Sequence, residues 1–177
     1  IALGLLAKGV RNLIVASEET NPYQWDELES AGAQYLCADL ESETAPISLV
    51  NQAHEKLGGI DSIVHCAGVY LEGAANPLTP VETWNRTVNI KARAGYLLAY
   101  TFAECANEGG SFVGITSINA EQSEPDHLAY DPACAVLGGV IRACAVQHAP
   151  RLRFNALAPG LIETRLTKEV TQSEAAH

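Results

Sequence analysis

Short apolar runs rich in β-branched residues alternate with longer segments of helical periodicity along the whole chain. Several of these runs are apolar at successive positions, which is typical of parallel strands covered on both faces. The runs predict five strands, at residues 12–17, 34–40, 61–67, 111–117 and 153–158.

The segments between the strands predict helices with recognisable ends. Asn21 followed by Pro22 is typical of a helix start, and Gly32 is typical of a helix end. Further helices are predicted over residues 1–9, before Gly58, and over residues 83–106 and 129–148. Strands and helices therefore alternate from one end of the chain to the other.

This β-α-β alternation predicts right-handed crossovers and a doubly wound parallel sheet with helices on both faces. The expected fold class is a three-layer α/β/α Rossmann-type fold. No internal repeat or linker interrupts it, so we expect one domain over residues 1–177. Ligands bind such sheets at the carboxyl ends of the strands. The candidate residues at those ends are Asp39, Ala67, Gly68, Ser117, Pro159 and Gly160.

The charge of the chain limits its partners. The 177 residues carry a formal charge of −10, and their eleven Lys and Arg residues are scattered, so no nucleic-acid or anionic-membrane surface is expected. No apolar run approaches the roughly 18 residues of a membrane span, and no signal peptide is recognisable. These features predict a cytoplasmic protein with a small-molecule ligand.

Five cysteines are present, an odd number without a CxxC pair, and most lie in apolar segments. They are interpreted as buried free thiols in a reducing compartment. Metal binding by His65 and Cys66 is the alternative. Adjacent strand residues point to opposite faces, so we expect no metal site.

Several short motifs follow one another in order: the sequence HCAG at residues 65–68, then Asn89, Ser117, Tyr130, and NALAPGLIET at residues 155–164. Together they resemble the short-chain dehydrogenase/reductase family, whose motifs read N-N-A-G, N-x-x-x, S-x(12)-Y-x-x-x-K and P-G-x-I-x-T. The resemblance covers essentially the whole chain. It implies an NAD- or NADP-dependent oxidoreductase that interconverts a carbonyl and a secondary alcohol.

The resemblance also implies roles for individual residues. Tyr130 would donate or remove the proton on the substrate oxygen, Ser117 would hold that oxygen, and Asn89 would support a water-linked proton path. Ser117 ends a strand and Tyr130 opens a helix thirteen residues later, a loop that brings the two hydroxyls together. The implied cofactor contacts are Asp39, Leu40, Ala67, Gly68, Tyr130, Pro159, Gly160, Ile162 and Thr164.

The main departure from the family pattern is Cys134, which occupies the position of the family's lysine one helical turn after Tyr130. A neutral thiol cannot lower the phenol pKa by charge, so the pKa of Tyr130 is expected to stay near that of a free phenol. Arg142 lies about 12 Å further along the helix. Lys91 lies two residues after Asn89, an offset expected to turn it away from the helix face of Asn89.

Two function classes therefore remain open. The first is an oxidoreductase with impaired proton transfer, in which Cys134→Lys should raise turnover. The second is a catalytically silent family member that binds cofactor or a partner subunit. The sequence has no Met, begins at Ile1 without the Gly-rich turn of the family, and stops soon after Thr164. It is therefore expected to be truncated at both ends, and a truncated product that does not fold is a third possibility.

Cofactor choice and assembly can also be predicted. Glu18 follows the first strand and would repel the 2′-phosphate of NADP, which favours NAD. The two long helices carry more apolar residues than one sheet face can cover, which predicts a homodimer or homotetramer. The residues concerned are Leu97, Leu98, Phe102, Val136, Leu137, Val140 and Ile141.

Overall fold

The computed structural model describes residues 1–20, 22–72, 76–164 and 167. The strands are β1 (Ile14–Ser17), β2 (Gln34–Cys37), β3 (Ile60–His65), β4 (Ala106–Ile115) and β5 (Arg153–Leu157). The α-helices are α1 (Ala2–Ala7), α2 (Trp25–Ser30), α3 (Ala45–Leu57), α4 (Pro80–Val88), α5 (Ala94–Cys105) and α6 (Tyr130–His148). A π-helix (Asn89–Arg93) separates α4 from α5, and a short 3-10 helix (Ile118–Ala120) follows β4.

All five predicted strands form, and every strand pairing is parallel. β1 pairs with β2, while β3, β4 and β5 form a second sheet in that order. β4 begins at Ala106, earlier than predicted, because Ala106 pairs with Ile60 before a register shift brings Ser111 opposite Ser62. The carboxyl ends of β3, β4 and β5 therefore meet at one edge.

The predicted α/β fold class is confirmed, with helices connecting parallel strands. α3, α5 and α6 pack together and against the sheet β3-β4-β5. α2 connects β1 to β2, which form the separate two-stranded sheet. Phe112 and Phe154 point into the helix-covered face and are buried, whereas Val64 and Leu157 are exposed. The described residues thus cover one face of the three-stranded sheet more completely than the other.

The core of the described residues lies between that sheet and its helices. The three phenylalanines of the chain, Phe102, Phe112 and Phe154, contact one another with ring centroids 5.7 to 6.1 Å apart. Leu137 and Ile141 of α6 close the cluster, and their side chains lie directly over Gly114 of β4. A Cβ at Gly114 would lie 2.4 Å from Ile141 Cδ1, so a glycine is needed for this close approach.

The local sequence explains the end of α3 and the start of α4, but not the start of α2. α3 ends at Gly58, whose φ of 71° is favourable for glycine, and α4 begins with a capping box between Thr79 and Glu82. α2 begins at Trp25 after Gln24, so the start predicted at Pro22 is wrong. Pro22 accepts a hydrogen bond from the Trp25 N–H in a turn, and Asn21 lies outside the described residues.

The long helix predicted over residues 83–106 is confirmed as a continuous helical stretch, but the π-helix widens its middle. Two arginines on this stretch hold the loop that follows β2. Arg86 Nε donates to the Glu41 carboxylate at 3.0 Å, and Arg93 donates to the Glu41 carbonyl. These contacts fix the end of β2 beside the π-helix.

The apolar residues that predicted self-association divide into two groups. Leu98, Phe102, Leu137 and Ile141 are core residues of the subunit, so the excess of apolar residues was overestimated. Of the predicted residues, Val136 is exposed on α6; Tyr96 and Tyr100, which were not among them, are also exposed, on α5. None of the helices formed by the described residues is long and apolar enough to cross a membrane.

Candidate active site

Ser117 stands where β4 ends at the carboxyl edge of the sheet. The preceding Thr116 is buried, and its N–H and hydroxyl both donate to the Leu157 carbonyl, at 2.8 and 3.1 Å. Ser117 Oγ then accepts the Asn119 N–H at 3.2 Å, which starts the 3-10 helix. The Ser117 hydroxyl hydrogen is therefore available to another acceptor.

Tyr130 is the first residue of α6, and Glu72 fixes that helix end. The Ala129 N–H donates to Glu72 Oε1 at 2.8 Å, and the Tyr130 N–H donates to Glu72 Oε2 at 2.9 Å. A carboxylate at a helix N-terminus satisfies free N–H groups and interacts favourably with the helix dipole. Glu72 was not predicted, because no local signal links it to residues so far along the chain.

The structure brings Ser117, Tyr130 and Cys134 together. Cys134, one turn further along α6, and the Ser117 hydroxyl are polar groups that act on the pKa of Tyr130. Burial, followed by the neighbouring Cys134 thiol, raises the pKa of Tyr130 to about 12, although the bond from Ser117 opposes this shift. The expectation of a pKa near that of a free phenol is therefore wrong, because it neglected burial.

Asn89 opens the π-helix and is half-buried. The Ala94 N–H donates to the Asn89 carbonyl, a bond that spans five residues in place of the usual four. π-Helical turns of this kind occur frequently at functional sites. Asn89 therefore lies on an irregular segment that also packs against α6, which carries Tyr130.

Lys91 lies on the same π-helix and is only 3% exposed. Its Nζ lies against Gly68, where an added Cβ would come within 2.9 Å of it. Cys134 and Cys66 are its electrostatic neighbours. The Lys91 side chain therefore lies at the exit of β3, beside one of the predicted cofactor contacts.

His65 ends β3 and is also buried. Its Nε2–H donates to the Lys91 carbonyl at 2.9 Å, which ties β3 to the π-helix. Burial, and to a smaller extent the Lys91 charge, lower the pKa of His65 to about 4, so its imidazole is neutral at pH 7. The sequence offered no signal for this bond, since the two residues belong to different elements.

The loop before α6 forms the mouth of the site. Glu124 and Asp126 are exposed, whereas His127 is half-buried, with its Nδ1 3.2 Å from Asp131 Oδ1. The Tyr70 ring contacts His127 and Tyr130 with centroids 4.9 and 6.1 Å apart. A groove of about 430 Å³ opens beside this cluster, lined in part by Glu72, Trp84, Leu128 and Ala129.

The predicted contacts to the adenine end of a cofactor lie in the loop after β2. Asp39 is exposed, and its Oδ1 accepts the Glu41 N–H at 2.8 Å in a tight turn, while Leu40 is half-buried. The carboxylate therefore has a structural partner inside the loop. Its second oxygen remains accessible, so both the turn role and the ligand role are compatible with the geometry.

The predicted contacts to the nicotinamide end follow β3 and β5. The Pro159 carbonyl accepts the Ile118 N–H at 3.0 Å, which places the segment after β5 beside the segment after β4. Gly160 and Ile162 are exposed, and Thr164 is exposed with its Oγ1 3.0 Å from Thr167 Oγ1.

A nicotinamide dinucleotide fits the residues at this edge. Ala67 and Gly68 are half-buried small residues, and the Lys91 ammonium beside Gly68 is a donor for hydroxyl or phosphate oxygens. A Cβ built at Gly160 meets only Ile118 Cδ1 at 3.9 Å, so its backbone is open to a ligand. Small side chains allow close approach of a ligand to the backbone.

The cysteines are free thiols among the described residues, but the prediction that they are buried is wrong for most of them. Cys134 is buried, Cys105 and Cys144 are half-buried, and Cys37 and Cys66 are exposed at strand ends. No group of three His, Cys, Asp or Glu side chains in the described part of the chain is arranged to hold a metal ion.

Comparisons of sequence agree with this geometry. A family model described as enoyl-(acyl carrier protein) reductase matches residues 1–177. Dihydromonapterin reductase from Klebsiella pneumoniae subsp. pneumoniae is 29% identical over 157 residues, 86% of this chain and 65% of that protein. Dehydrogenase/reductase SDR family member 4 from Homo sapiens is 34% identical over 124 residues, 68% of this chain and 44% of that protein. The chain thus spans less than two thirds of the length of these relatives.

Solved structures agree as well. A short-chain dehydrogenase/reductase described as glucose/ribitol dehydrogenase from Brucella melitensis superposes with a TM-score of 0.83 at 25% identity, covering 95% of this chain and 69% of that one. A blue fluorescent protein from a metagenomic library, in complex with NADPH, gives a TM-score of 0.84 at 26% identity, covering 96% and 71%.

Proposed function

The chain belongs to the short-chain dehydrogenase/reductase family, and we propose that it interconverts a carbonyl compound and a secondary alcohol with a nicotinamide cofactor. The observation that carries this proposal is that Ser117, at the end of β4, and Tyr130, at the start of α6, come close enough for Ser117 to lower the pKa of Tyr130. Both hydroxyls face the edge where parallel α/β sheets bind ligands. A small-molecule substrate would enter from the groove beside Leu128.

In the proposed reduction, the Tyr130 hydroxyl donates its proton to the substrate carbonyl oxygen. The Ser117 hydroxyl donates a hydrogen bond to the same oxygen, because a carbonyl oxygen can only accept, while Ser117 Oγ itself accepts the Asn119 N–H. Asn89, on the π-helix, would support a water-linked path that returns a proton to Tyr130. The nicotinamide ring, when bound, supplies the hydride in reduction and accepts it in oxidation.

The raised pKa of Tyr130 favours one direction of this reaction. With a pKa of about 12, Tyr130 is protonated at neutral pH and is ready to donate. Oxidation needs the phenolate as a base, so its rate should rise with pH up to about 12. We therefore propose that the protein acts mainly as a reductase near pH 7.

Cofactor binding is proposed at the strand ends. The residues assigned to it are Asp39, Leu40, Ala67, Gly68, Tyr130, Pro159, Gly160, Ile162 and Thr164. The relative solved with NADPH supports a nicotinamide dinucleotide in general. Glu18, which is exposed directly after β1, would repel a 2′-phosphate, and so we propose that NAD is preferred.

The test uses the natural full-length protein with NADH or NADPH and a panel of ketones and secondary alcohols. Tyr130→Phe removes the proton donor, and turnover is expected to fall by roughly 10²- to 10⁴-fold while cofactor binding stays within a few-fold. Tyr23→Phe, at an exposed position before α2, is the matched control and should keep full turnover. Equal turnover of Tyr130→Phe and wild type would refute the proposed role.

A silent cofactor-binding subunit is the second candidate, and the buried thiol Cys134 beside Tyr130 favours it. This candidate predicts NADH binding without turnover on any member of the panel.

Assembly is a related proposal: Tyr96, Tyr100 and Val136 are exposed on α5 and α6 and would pair across a two-fold axis in a homodimer or homotetramer. A monomeric mass by light scattering at micromolar concentration would contradict that pairing.

A further inference from the structure

The groove of about 430 Å³ beside the candidate active site exposes large apolar side chains. Its apolar lining residues are Leu78, Pro80, Trp84, Leu128 and Ala129. Trp84 is 46% exposed and Leu128 is 85% exposed. Exposed apolar side chains that line a concave surface are typical of ligand grooves. An apolar ligand that covers these two side chains would remove their surface from water, which favours binding.

Several polar groups of the groove already have partners within the protein. Asn76 Nδ2 donates to Thr83 Oγ1 at 2.8 Å, and Asn76 Oδ1 accepts the Leu78 N–H at 3.1 Å. Each oxygen of the Glu72 carboxylate accepts an N–H group at the start of α6. These bonds hold the walls of the groove in place. A ligand there therefore gains most from contact with the apolar side chains.

Asp126 gives the rim of the groove a negative charge. Its side chain is exposed, and none of the ion pairs formed by the described residues includes it. Its carbonyl accepts the Tyr70 hydroxyl at 3.1 Å, which fixes the backbone of Asp126 at the rim. The other charged residue among the described residues that line the groove is Glu72, also a carboxylate. Two charges of the same sign would repel an anionic ligand.

Tyr70 also connects this rim to the candidate proton donor. Its ring contacts the Tyr130 ring edge to face, with centroids 6.1 Å apart. Ala129, which directly precedes Tyr130, lines the groove. The groove therefore adjoins the start of α6. A substrate whose carbonyl oxygen reaches Tyr130 would place the rest of its structure beside Trp84 and Asp126.

We propose that the groove selects carbonyl compounds that carry an aromatic or aliphatic group and no negative charge, and that Asp126 is the specificity-determining residue that disfavours anions. Trp84 and Leu128 contact the apolar group of the substrate. A positively charged substituent is accepted, because the carboxylate and the face of the Trp84 ring both attract cations. Carbonyl compounds that carry a carboxylate or a phosphate are disfavoured. The inference names the substrate class of the proposed oxidoreductase and rests on that function.

The first experiment measures binding without turnover, on the natural full-length protein saturated with NAD⁺, which cannot reduce a ketone. The probes are acetophenone, the anion 4-acetylbenzoate and the cation 4-acetyl-N,N,N-trimethylanilinium. They share one aryl ketone and differ in charge. We expect the neutral and the cationic ketone to bind at least roughly fivefold more tightly than the anion. Added salt should reduce the ratio of cation affinity to anion affinity.

Fluorine NMR of protein labelled with 5-fluorotryptophan locates the bound ketone and gives its dissociation constant. The resonance lost in Trp84→Phe identifies Trp84, and the resonance lost in Trp25→Phe identifies Trp25. Trp25 packs against Tyr35 of β2, with ring centroids 5.3 Å apart, and is the matched control. Titration with acetophenone should shift the Trp84 resonance to saturation and leave the Trp25 resonance in place. A Trp84 resonance that does not respond would overturn the inference.

A second experiment tests the role of Asp126. Asp126→Asn removes the charge and keeps a residue that tolerates the left-handed backbone, with φ of 61°, at this position. The ratio of cation affinity to anion affinity should fall by at least about half. Asp61→Asn makes the same change at an exposed residue near the start of β3, at the opposite edge of the sheet, and should leave the ratio unaltered.

The outcomes separate this inference from the proposed function. An anion that binds wild type as tightly as the cation, or an equal change of the ratio in Asp126→Asn and Asp61→Asn, would overturn the inference. Equal turnover of all three ketones with NADH would also overturn it, while supporting the oxidoreductase function. Selective binding at Trp84 without turnover of any ketone would instead refute the oxidoreductase function.

Discussion

The sheet β3-β4-β5 and the sheet β1-β2 are both parallel, but they bury very different amounts of apolar side chain. The buried cluster, which includes Phe102, Phe112 and Leu137, belongs to the three-stranded sheet and to α3, α5 and α6. β1 and β2 contain no fully buried residue. Leu28 is the one buried side chain of α2. We call β3-β4-β5 with α3, α5 and α6 the dense region, and β1-β2 with α2 the sparse region. Because dense packing restricts side chains to few positions, the dense region should be the more rigid of the two.

The residues proposed for proton transfer and those proposed for cofactor choice also lie in different regions. Ser117 and Tyr130 are attached to the dense region, where hydrogen-bond distances are well maintained. Glu18 and Asp39, which are proposed to face the adenosine end of the cofactor, follow the strands of the sparse region. Proton transfer needs fixed geometry, whereas ligand choice can change on exposed loops without disturbing the core.

The largest expected effect is on the free energy of unfolding, measured by denaturant titration. Leu137→Ala removes a fully buried side chain whose Cδ1 would lie 2.5 Å from a Cβ at Gly95. Leu28→Ala makes the same chemical change at a residue 7% exposed. Leu→Ala in a core costs about 2–5 kcal/mol, and we expect Leu137 near the upper end and Leu28 near or below the lower end.

Equal losses for the two leucines would show that the two sheets are stabilised to a similar degree. The slope of the unfolding curve should stay constant in both variants, since a changed slope would indicate that the regions unfold separately.

The second prediction concerns pH and the junction between β3 and the π-helix. The pKa of His65 is lowered from 6.5 to about 4 in the folded protein, so the unfolded chain binds more protons between these values. The free energy of unfolding should therefore decrease as pH falls from about 6.5 to about 4, by at most about 3 kcal/mol from this group. Above pH 6.5 its contribution is constant.

His65→Gln has no titrating ring, and its amide still offers an N–H to the Lys91 carbonyl. Carboxylates also titrate in this range, so the measured quantity is the difference between wild type and His65→Gln at pH 7 and at pH 4.5. That difference should shrink at the lower pH. A difference independent of pH would mean that His65 is not neutral and buried.

These regions also differ in how well the sequence predicts them. The five strands were predicted because apolar runs are local features, and the Ser117–Tyr130 pair was implied by the resemblance to the family motif S-x(12)-Y-x-x-x-K. The position of Lys91 was not, because it depends on how the π-helix packs against α6 and on the space left by Gly68 after β3. The start of α2 was missed because Gln24 adopts a left-handed conformation with φ of 57°.

Contacts between distant segments account for the remaining errors. Glu72 caps α6 from 57 residues away, and His65 reaches the Lys91 carbonyl across 26 residues. Neither bond follows from the residues next to it. The two cofactor candidates Asp39 and Gly68 were placed correctly at strand ends, but their partners Glu41 and Lys91 depend on the folded structure.

The third prediction tests whether the dense region alone orders Tyr130. Glu72→Ala removes the carboxylate that accepts the Ala129 and Tyr130 N–H groups, and it should cost about 0.5–2 kcal/mol of stability. Turnover should fall as well, since the first turn of α6 carries Tyr130. Glu82→Ala, in the capping box of α4, is the matched control.

We expect Glu82→Ala to lose similar stability without the loss of turnover. If both variants retain wild-type turnover, core packing is sufficient to hold Tyr130 and the Glu72 cap has only a structural role.

The smallest effect is expected in the sparse region, at Glu18. This residue is exposed after β1, so its replacement should leave the unfolding midpoint almost unchanged. Glu18→Arg exchanges a repulsive charge for an attractive one near the proposed 2′-phosphate position. An exposed charge contributes little, so the ratio of NADPH to NADH affinity should rise by only roughly fivefold.

Glu55→Arg on α3 makes the same change in net charge and should leave the ratio unaltered. Titration of cofactor fluorescence at low and high salt measures both ratios, and added salt should reduce the Glu18 effect. An equal response of the two variants would mean that net charge, and not the place of Glu18 beside the cofactor, determines the preference. A loss of NADH turnover at saturating cofactor in Glu18→Arg alone would show that the sparse region also influences proton transfer.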